Sequence, residues 1–347
     1  MWKYIGKKEC NEFLLSLNLI NCKDEKKYIK TIYSISNDIE KNYKIYKIKK
    51  RNGKYRTIYE PNSILKKIQK QILVNILNNK SISKYAKAYH KGIQLKDNAI
   101  PHINKEMILK LDIKDFFENI SFLDIYNSCF PIEYFPKSVG MILTYLCTYD
   151  NHLTQGSPTS AYISNLVMKE FDEELGNWCN LTNISYTRYS DDMTFSGKFN
   201  PNELIAKVRK MLYKLGLELN NDKIHIVHKS SSQSVTGIIV NEKMQVNIKY
   251  RNKIRQEIYY IKKFGLNLRS SIAIANTRYA VGRVSDKGKI IEGTENFQQV
   301  ANVIGEIYRT NPVNGNVTVK VYKQKVKGKW LYATEIVPKT SKNEAEL

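Results

Sequence analysis

The chain is expected to fold as an α+β protein in which antiparallel strands form a sheet with helices packed on one face. Three observations lead there. Runs rich in β-favouring residues flank turn signals, helix-spaced apolar residues fill the stretches between them, and 347 residues with 42% hydrophobic content can bury a large core divided into subdomains.

The first forty residues carry helical spacing. A basic run from Tyr43 to Tyr59 alternates polar and apolar residues around Asn52-Gly53, which predicts a cationic hairpin. Pro61 precedes an amphipathic helix with Leu65, Ile68, Ile72, Ile76 and Leu77 on one stripe. Met107 to Leu111 reads as a buried strand ending at Asp112. Ser121 is placed to cap a helix reaching about Phe130. Residues 131–149 read as largely helical, and Gln155-Gly156-Ser157-Pro158 leads into one long helix carrying Ile163, Leu166, Val167, Phe171 and Leu175. Ile184 to Gly197 predicts a hairpin with Asp191 and Asp192 at its tip. A helix then opens at Asn200-Pro201 and closes at Gly216, with Leu204, Val208, Met211, Leu212 and Leu215 inward. Val235 to Val240 returns through Met244 to Ile248, followed by a basic helix from about Lys249 to Phe264. Beyond residue 270 the pattern gives a hairpin over 278–293 around Asp286-Lys287-Gly288, a helix over 294–309 and a lysine-rich hairpin over 317–337 around Lys327-Gly328.

Asp112 ends one strand and Asp191-Asp192 tips another hairpin, so three carboxylates can converge on one sheet edge. Such a set suits Mg²⁺, which takes hard oxygen ligands and completes its octahedron with water and substrate phosphates. Two Mg²⁺ ions would serve the transfer of a nucleotide to a hydroxyl group. The histidines (His90, His102, His152, His225, His228) are scattered and no Cys-x-x-Cys pair occurs, so zinc is not expected. The odd number of widely spaced cysteines fits core residues in a reducing compartment.

Lys+Arg 56 against Asp+Glu 33 gives a net charge of +23. An AT-rich genome explains part of the lysine, but the excess over acids points to a polyanion, first of all nucleic acid. No apolar run is long enough to span a bilayer and the start lacks the apolar stretch of a secretion signal, so a cytoplasmic protein without a membrane partner is expected.

Four patterns in order, Leu111-Asp112-Ile113-Lys114-Asp115-Phe116-Phe117, Gln155-Gly156-Ser157-Pro158, Tyr189-Ser190-Asp191-Asp192, and Gly216 followed by Lys223, resemble those of reverse transcriptases over residues 40 to 265 or so. Asn98-Ala99-Ile100-Pro101-His102 is similar to the NAxxH signature of bacterial retron enzymes, and Val235-Thr236-Gly237 to their VTG signature. The resemblance implies a right-hand polymerase fold: N-terminal helices and fingers over 1–105, palm over 106–248 with 131–158 partly fingers, and a thumb helix region over 249–275. Residues 276–347 fall outside it as an α+β extension that is expected to contact RNA or an effector. The resemblance also implies copying of a structured non-coding RNA from one of its own 2′-hydroxyls into branched RNA-linked DNA, using dNTPs, and an associated effector in defence against phage.

Resemblance and metal chemistry together assign Asp112 and Asp191 as ligands of both ions and Asp192 as a supporting carboxylate. Asp115 is left aside, because a capping role suffices for it. Phe117 matches the aromatic gate that excludes a 2′-hydroxyl, with core packing as the other reading. Gln155 and Gly156 match the nucleotide-contacting loop. Arg56, with Lys54 beside it, is a candidate for the triphosphate through its bidentate fork. Lys223 matches a lysine that protonates pyrophosphate, or is simply solvated. RNA recognition is assigned to Asn98, His102, Val235, Thr236 and Gly237, and to Arg251, Lys253 and Arg255 of the basic helix, with Lys262 and Lys263 adding charge and Tyr250, Tyr259 and Tyr260 available to stack. His102 has a second reading as a hydrogen-bonded core histidine. Two other functions stay open: a stand-alone reverse transcriptase outside the retrons, and an idle RNA-binding scaffold that regulates an effector.

Overall fold

The computed structural model describes residues 5–49, 53, 55–264, 278–284, 290–293, 317–326 and 329–337. Two units are present, Met1–Asn247 and Ile248–Leu347.

The first unit opens with α1 (Lys7–Ser16) and α2 (Glu25–Asn37), the latter started by Asp24, whose side chain accepts from the Lys27 amide. Strands β1 (Tyr43–Lys49) and β2 (Tyr55–Pro61) form the basic hairpin. Its alternation does not mark a buried face: Ile45, Tyr46, Ile48 and Tyr55 stay exposed. Asn62 caps α3 (Ser63–Asn75) by accepting from the amides of Ile64 and Leu65. Leu65, Ile68 and Ile72 of α3 are fully buried, and each stabilises the unit by about 1.5–3 kcal/mol.

After the short α4 (Leu95–Ala99), strand β3 (Met107–Asp112) enters the interior. The capping box of Ser121 and Asp124 starts α5 (Phe122–Cys129). The helix expected over 131–149 is shorter: α6 spans Lys137–Cys147, because Pro136 fixes its start, and β4 (Thr148–Tyr149) turns back on β5 (His152–Leu153). The long helix expected after Pro158 is two, α7 (Ser160–Val167) and α8 (Lys169–Leu181), interrupted at Met168, whose ψ of 0° leaves the helical range. Strands β6 (Ser185–Tyr189) and β7 (Asp192–Gly197) form the aspartate hairpin, and α9 (Pro201–Tyr213) starts at Asn200 and is followed by Gly216 with φ +66°. Strand β8 is His225–His228.

The strand expected from Val235 to Val240 is instead a tight hairpin. Thr236 (φ +44°) and Gly237 (φ +84°) turn between β9 (Ser234–Val235) and β10 (Ile238–Ile239), and β11 (Gln245–Val246) pairs with β10. Two left-handed residues in succession are what a type I′ turn requires.

The central sheet is antiparallel throughout, in the order β6-β7-β3-β8. Alternation gives it two buried faces. Leu109, Leu111, Met193, Phe195 and Tyr186 join the main core with Phe171 and Leu175 of α8 and Leu204, Val208 and Leu212 of α9. The opposite face is not bare: Ile108 packs with Ala99, Val235 and Val240, so the 95–103 segment and the Thr236-Gly237 hairpin cover it.

In the second unit, α10 is Ile248–Phe264, and β12 (Arg278–Val284), β13 (Ile290–Gly293), β14 (Val317–Val326) and β15 (Lys329–Val337) form an antiparallel sheet in the order β13-β12-β14-β15. The helix expected over 294–309 and the turns at 286–288 and 327–328 lie outside the described residues.

Candidate active site

Residue register brings the acids together. Asp112 and Asp192 are directly opposed partners of β3 and β7, so their side chains leave the same face of the sheet. Tyr189 pairs with Asp192, which leaves Ser190 and Asp191 as a two-residue turn with φ +62° at Ser190, the first central position, as in a type II′ turn. The amide of Ile113 donates to the Asp191 carbonyl at 3.0 Å.

The amide of Asn220 donates to the Asp112 carbonyl, and the helical turn Asn221–Lys223 then carries Lys223 back over the Asp112 side chain. Lys223 Nζ donates to both Asp112 oxygens, at 2.9 and 2.7 Å. Desolvation and the Asp112 charge raise the Asp191 carboxyl. Asp192 keeps an exposed edge, yet the atoms crowding it, and then the charges of Asp191 and Asp112, push its carboxyl up to about 6. Partial burial lowers the Lys223 ammonium, but its bonds to Asp112 and the charges of the three acids outweigh that and raise it.

A cleft of about 480 Å³ collects Asp112, Asp191, Lys223, Phe117, Gln155, Gly156 and Arg56. Phe116 is buried while Phe117, its ring 5.4 Å away at 65°, is half-buried; both line the cleft from the turn after β3, so the turn and not strand alternation sets their unequal exposure. The β1–β2 hairpin docks on the loop: the Tyr59 amide donates to the Gln155 carbonyl at 2.8 Å. Gly156, at φ +125°, lies so close that an added Cβ would stand 2.5 Å from the Tyr59 carbonyl oxygen. The loop is braced below by Ser157 Oγ, in contact with Tyr43 Oη at 2.9 Å and Thr154 Oγ1 at 2.8 Å. Lys54, the other candidate for the triphosphate, lies outside the described residues.

The structure corrects three RNA assignments, those of His102, Asn98 and Val235, all of which are buried. His102 is fully buried, Nδ1 2.7 Å from Ser196 Oγ and Nε2 2.8 Å from Thr187 Oγ1, so it ties the covering segment to β6 and β7 and offers RNA nothing. Burial, with a smaller contribution from Lys105, drops its pKa to about 3 and keeps the ring neutral. Asn98 is buried too, its Nδ2 3.5 Å from Thr236 Oγ1, which brings the NAxxH and VTG segments into contact. Both were placed on RNA by signature alone, and burial is not visible in a signature. Val235 is buried beside them, while Thr236 is half-buried and Gly237 exposed. Arg251, Lys253 and Arg255 stand exposed on α10 of the second unit.

Asp115, set aside on the sequence, lines the cleft with φ +44°, and so does Tyr89, at φ +56°, with its hydroxyl donating to Ser190 Oγ at 3.4 Å. The second acid of the Asp112–Phe117 run was a usable signal for Asp115; nothing local marks Tyr89. Among the described residues no three His, Cys, Asp or Glu side chains close into a metal cage, and no helix is long and apolar enough to cross a membrane.

Comparison with known proteins places the chain in a family. The family model described as reverse transcriptase (RNA-dependent DNA polymerase) matches residues 48–240. Retron Ec86 reverse transcriptase of Escherichia coli is 31% identical over 226 residues, 63% of this chain and 70% of that protein. Retron Ec83 reverse transcriptase of Escherichia coli is 31% identical over 261 residues, 69% and 81% respectively. Retron Mx65 reverse transcriptase of Myxococcus xanthus is 27% identical over 250 residues, 65% and 58%. A solved structure of telomerase from Candida albicans, in complex with a TWJ fragment of telomeric RNA, aligns at a TM-score of 0.42 and 13% identity over 70% of this chain and 56% of that one. The chain therefore belongs to the reverse transcriptase family, among the bacterial retron reverse transcriptases, and is an RNA-directed DNA polymerase.

Proposed function

We propose that this polymerase copies part of its own structured non-coding RNA, starting from the 2′-hydroxyl of a specific guanosine in it, and so makes branched RNA-linked DNA. The observation that carries the chemical part is the convergence of Asp112, Asp191, Lys223, Phe117 and the Gln155-Gly156 loop on one cleft, with Asp192 opposite Asp112. The retron part is supported by the relatives and by the contact of Asn98 with Thr236.

The donor set fits Mg²⁺: three hard carboxylates, two of them with raised pKa through crowding and mutual repulsion, and a lysine ammonium answering the charge of the third. Asp112, Asp191 and Asp192 would hold two such ions, which when bound would activate the attacking hydroxyl and neutralise charge on the departing pyrophosphate. The chain's own groups do the rest. The backbone of Gln155 and Gly156 receives the nucleotide at close approach, with Arg56 on the same cleft as a fork for phosphate oxygens. Phe117 closes the sugar side against a 2′-hydroxyl. Lys223 Nζ is the proton donor nearest the acids, and transfers its proton to the leaving group.

Exposed Arg251, Lys253 and Arg255 bind RNA phosphates, the second-unit sheet contacts RNA or an effector protein, and the system acts in defence against phage. Purified from its native locus, the wild-type protein should carry DNA joined to RNA through a 2′ linkage, resolved by separate RNase and DNase treatment, and Asp191→Ala should carry none. RNA alone in both would favour the idle scaffold, and unbranched DNA a different priming mode.

A further inference from the structure

Arg188 has no exposed surface, and neither has its partner Asp172. Nε donates to Asp172 at 2.9 and 3.2 Å and Nη2 at 2.6 Å, while the Tyr186 hydroxyl donates to the same carboxylate at 2.8 Å. A buried ion pair is a poor way to hold a fold together, since apolar side chains of similar size do as well or better. The pair therefore calls for another reason, and the remaining donor supplies one. Arg188 Nη1 reaches the carbonyl of Ser190 at 3.0 Å.

Ser190 is the residue at φ +62°, a conformation that costs a residue bearing a Cβ. Asp191 follows it, and the Asp112 charge repels the Asp191 carboxylate. Both peptide carbonyls that flank the Asp191 side chain are thus held: that of Ser190 by Arg188, and its own by the Ile113 amide at 3.0 Å. The Arg188 backbone is itself fixed, its amide donating to Tyr85 and its carbonyl accepting from Lys87.

We propose that Arg188, oriented by Asp172, is a positioning residue for polymerisation: it stabilises the left-handed Ser190 peptide and so sets where the Asp191 carboxylate stands in the cleft. The proposal rests on the reading of Asp112, Asp191 and Asp192 as the catalytic acids. A lysine at 188 keeps a charge for Asp172 but has no planar fork to bond the carboxylate side-on and the Ser190 carbonyl together.

The test measures single-nucleotide incorporation on an annealed primer–template by the full chain, with the thermal midpoint recorded for each variant. Arg188→Lys should lower kcat about 10- to 100-fold with little change in KM for the dNTP. Adding Ser190→Gly to Arg188→Lys should restore much of that kcat, because glycine adopts positive φ without the Cβ penalty. A folded Arg188→Lys with wild-type kcat, or one that the glycine does not rescue, overturns the proposal. If Arg188→Lys does not fold, Arg188→Met with Asp172→Leu removes both buried charges. A folded, slow double variant supports positioning, and a folded fast one, or a second failure to fold, overturns it. Asp191→Asn separates the two readings: incorporation retained there sinks the site assignment itself, while incorporation lost there beside a normal Arg188→Lys sinks only the positioning role.

Discussion

The Lys223 ammonium grips both oxygens of Asp112, at 2.9 and 2.7 Å, and so supplies at the acid cluster the positive charge that a divalent ion would bring. A metal entering there competes with a tethered cation. Lys223→Met should bind Mn²⁺ about tenfold more tightly in the RNA-free protein, titrated by electron paramagnetic resonance, while nucleotide incorporation slows by about a hundredfold as the proposed proton donor is lost. An unchanged Mn²⁺ titration would mean that the ion pair opposes no metal.

Phe117 lines the cleft against a buried Phe116, which gives its ring a rigid backing. Phe117→Ala should weaken discrimination of dNTP over rNTP, read as the ratio of kcat/KM values, by about 10- to 100-fold, and Phe117→Tyr should preserve it. Equal ratios in wild type and Phe117→Ala would return Phe117 to the core.

At Gly156 an alanine meets two obstacles, a φ of +125° and the Tyr59 carbonyl oxygen at 2.5 Å. Gly156→Ala should cost about 1–3 kcal/mol of stability and raise KM for the dNTP, because the β1–β2 hairpin can no longer dock on the loop. Denaturant unfolding alongside nucleotide kinetics checks both, and a wild-type KM contradicts the loop assignment.

His102 makes stability depend on pH. Its pKa is about 3 in the folded protein, below the ordinary value near 6.5, so between those values the unfolded chain binds a proton that the folded one refuses. The His102 contribution is therefore complete above about pH 6.5 and is lost as pH falls toward 3, at up to about 1.4 kcal/mol per pH unit. Urea unfolding should show wild type losing roughly 1.5 kcal/mol more than His102→Gln between pH 6.5 and 5. Parallel losses in the two proteins would place His102 at the surface after all.

Much of this molecule is legible in one dimension. The hairpin carrying Asp191, the cap at Ser121, the helix begun at Asn200-Pro201 and the glycine that follows it are local events, governed by turn chemistry and apolar spacing within a few residues. The ordered acids, the Gln155-Gly156 loop and Phe117 were readable for a related reason, since each motif is short and contiguous. Where reading failed, the cause was also local. Nothing in Ser160 to Leu181 distinguishes a helix interior from a break at Met168, and Val235-Thr236-Gly237 reads as strand until both left-handed residues are seen.

By itself the sequence determined most of the elements, their order, the family and the acids proposed to carry its chemistry. Tertiary structure alone decided that Lys223 lies on Asp112, that Asp172 neutralises Arg188, and that His102 and Asn98 face inward against the sheet rather than outward to RNA. Those outcomes depend on the register of β3 against β7 and β8 and on which side of the sheet each segment crosses. A shift of one residue would invert every side chain, and that choice is made by packing between segments far apart in the chain.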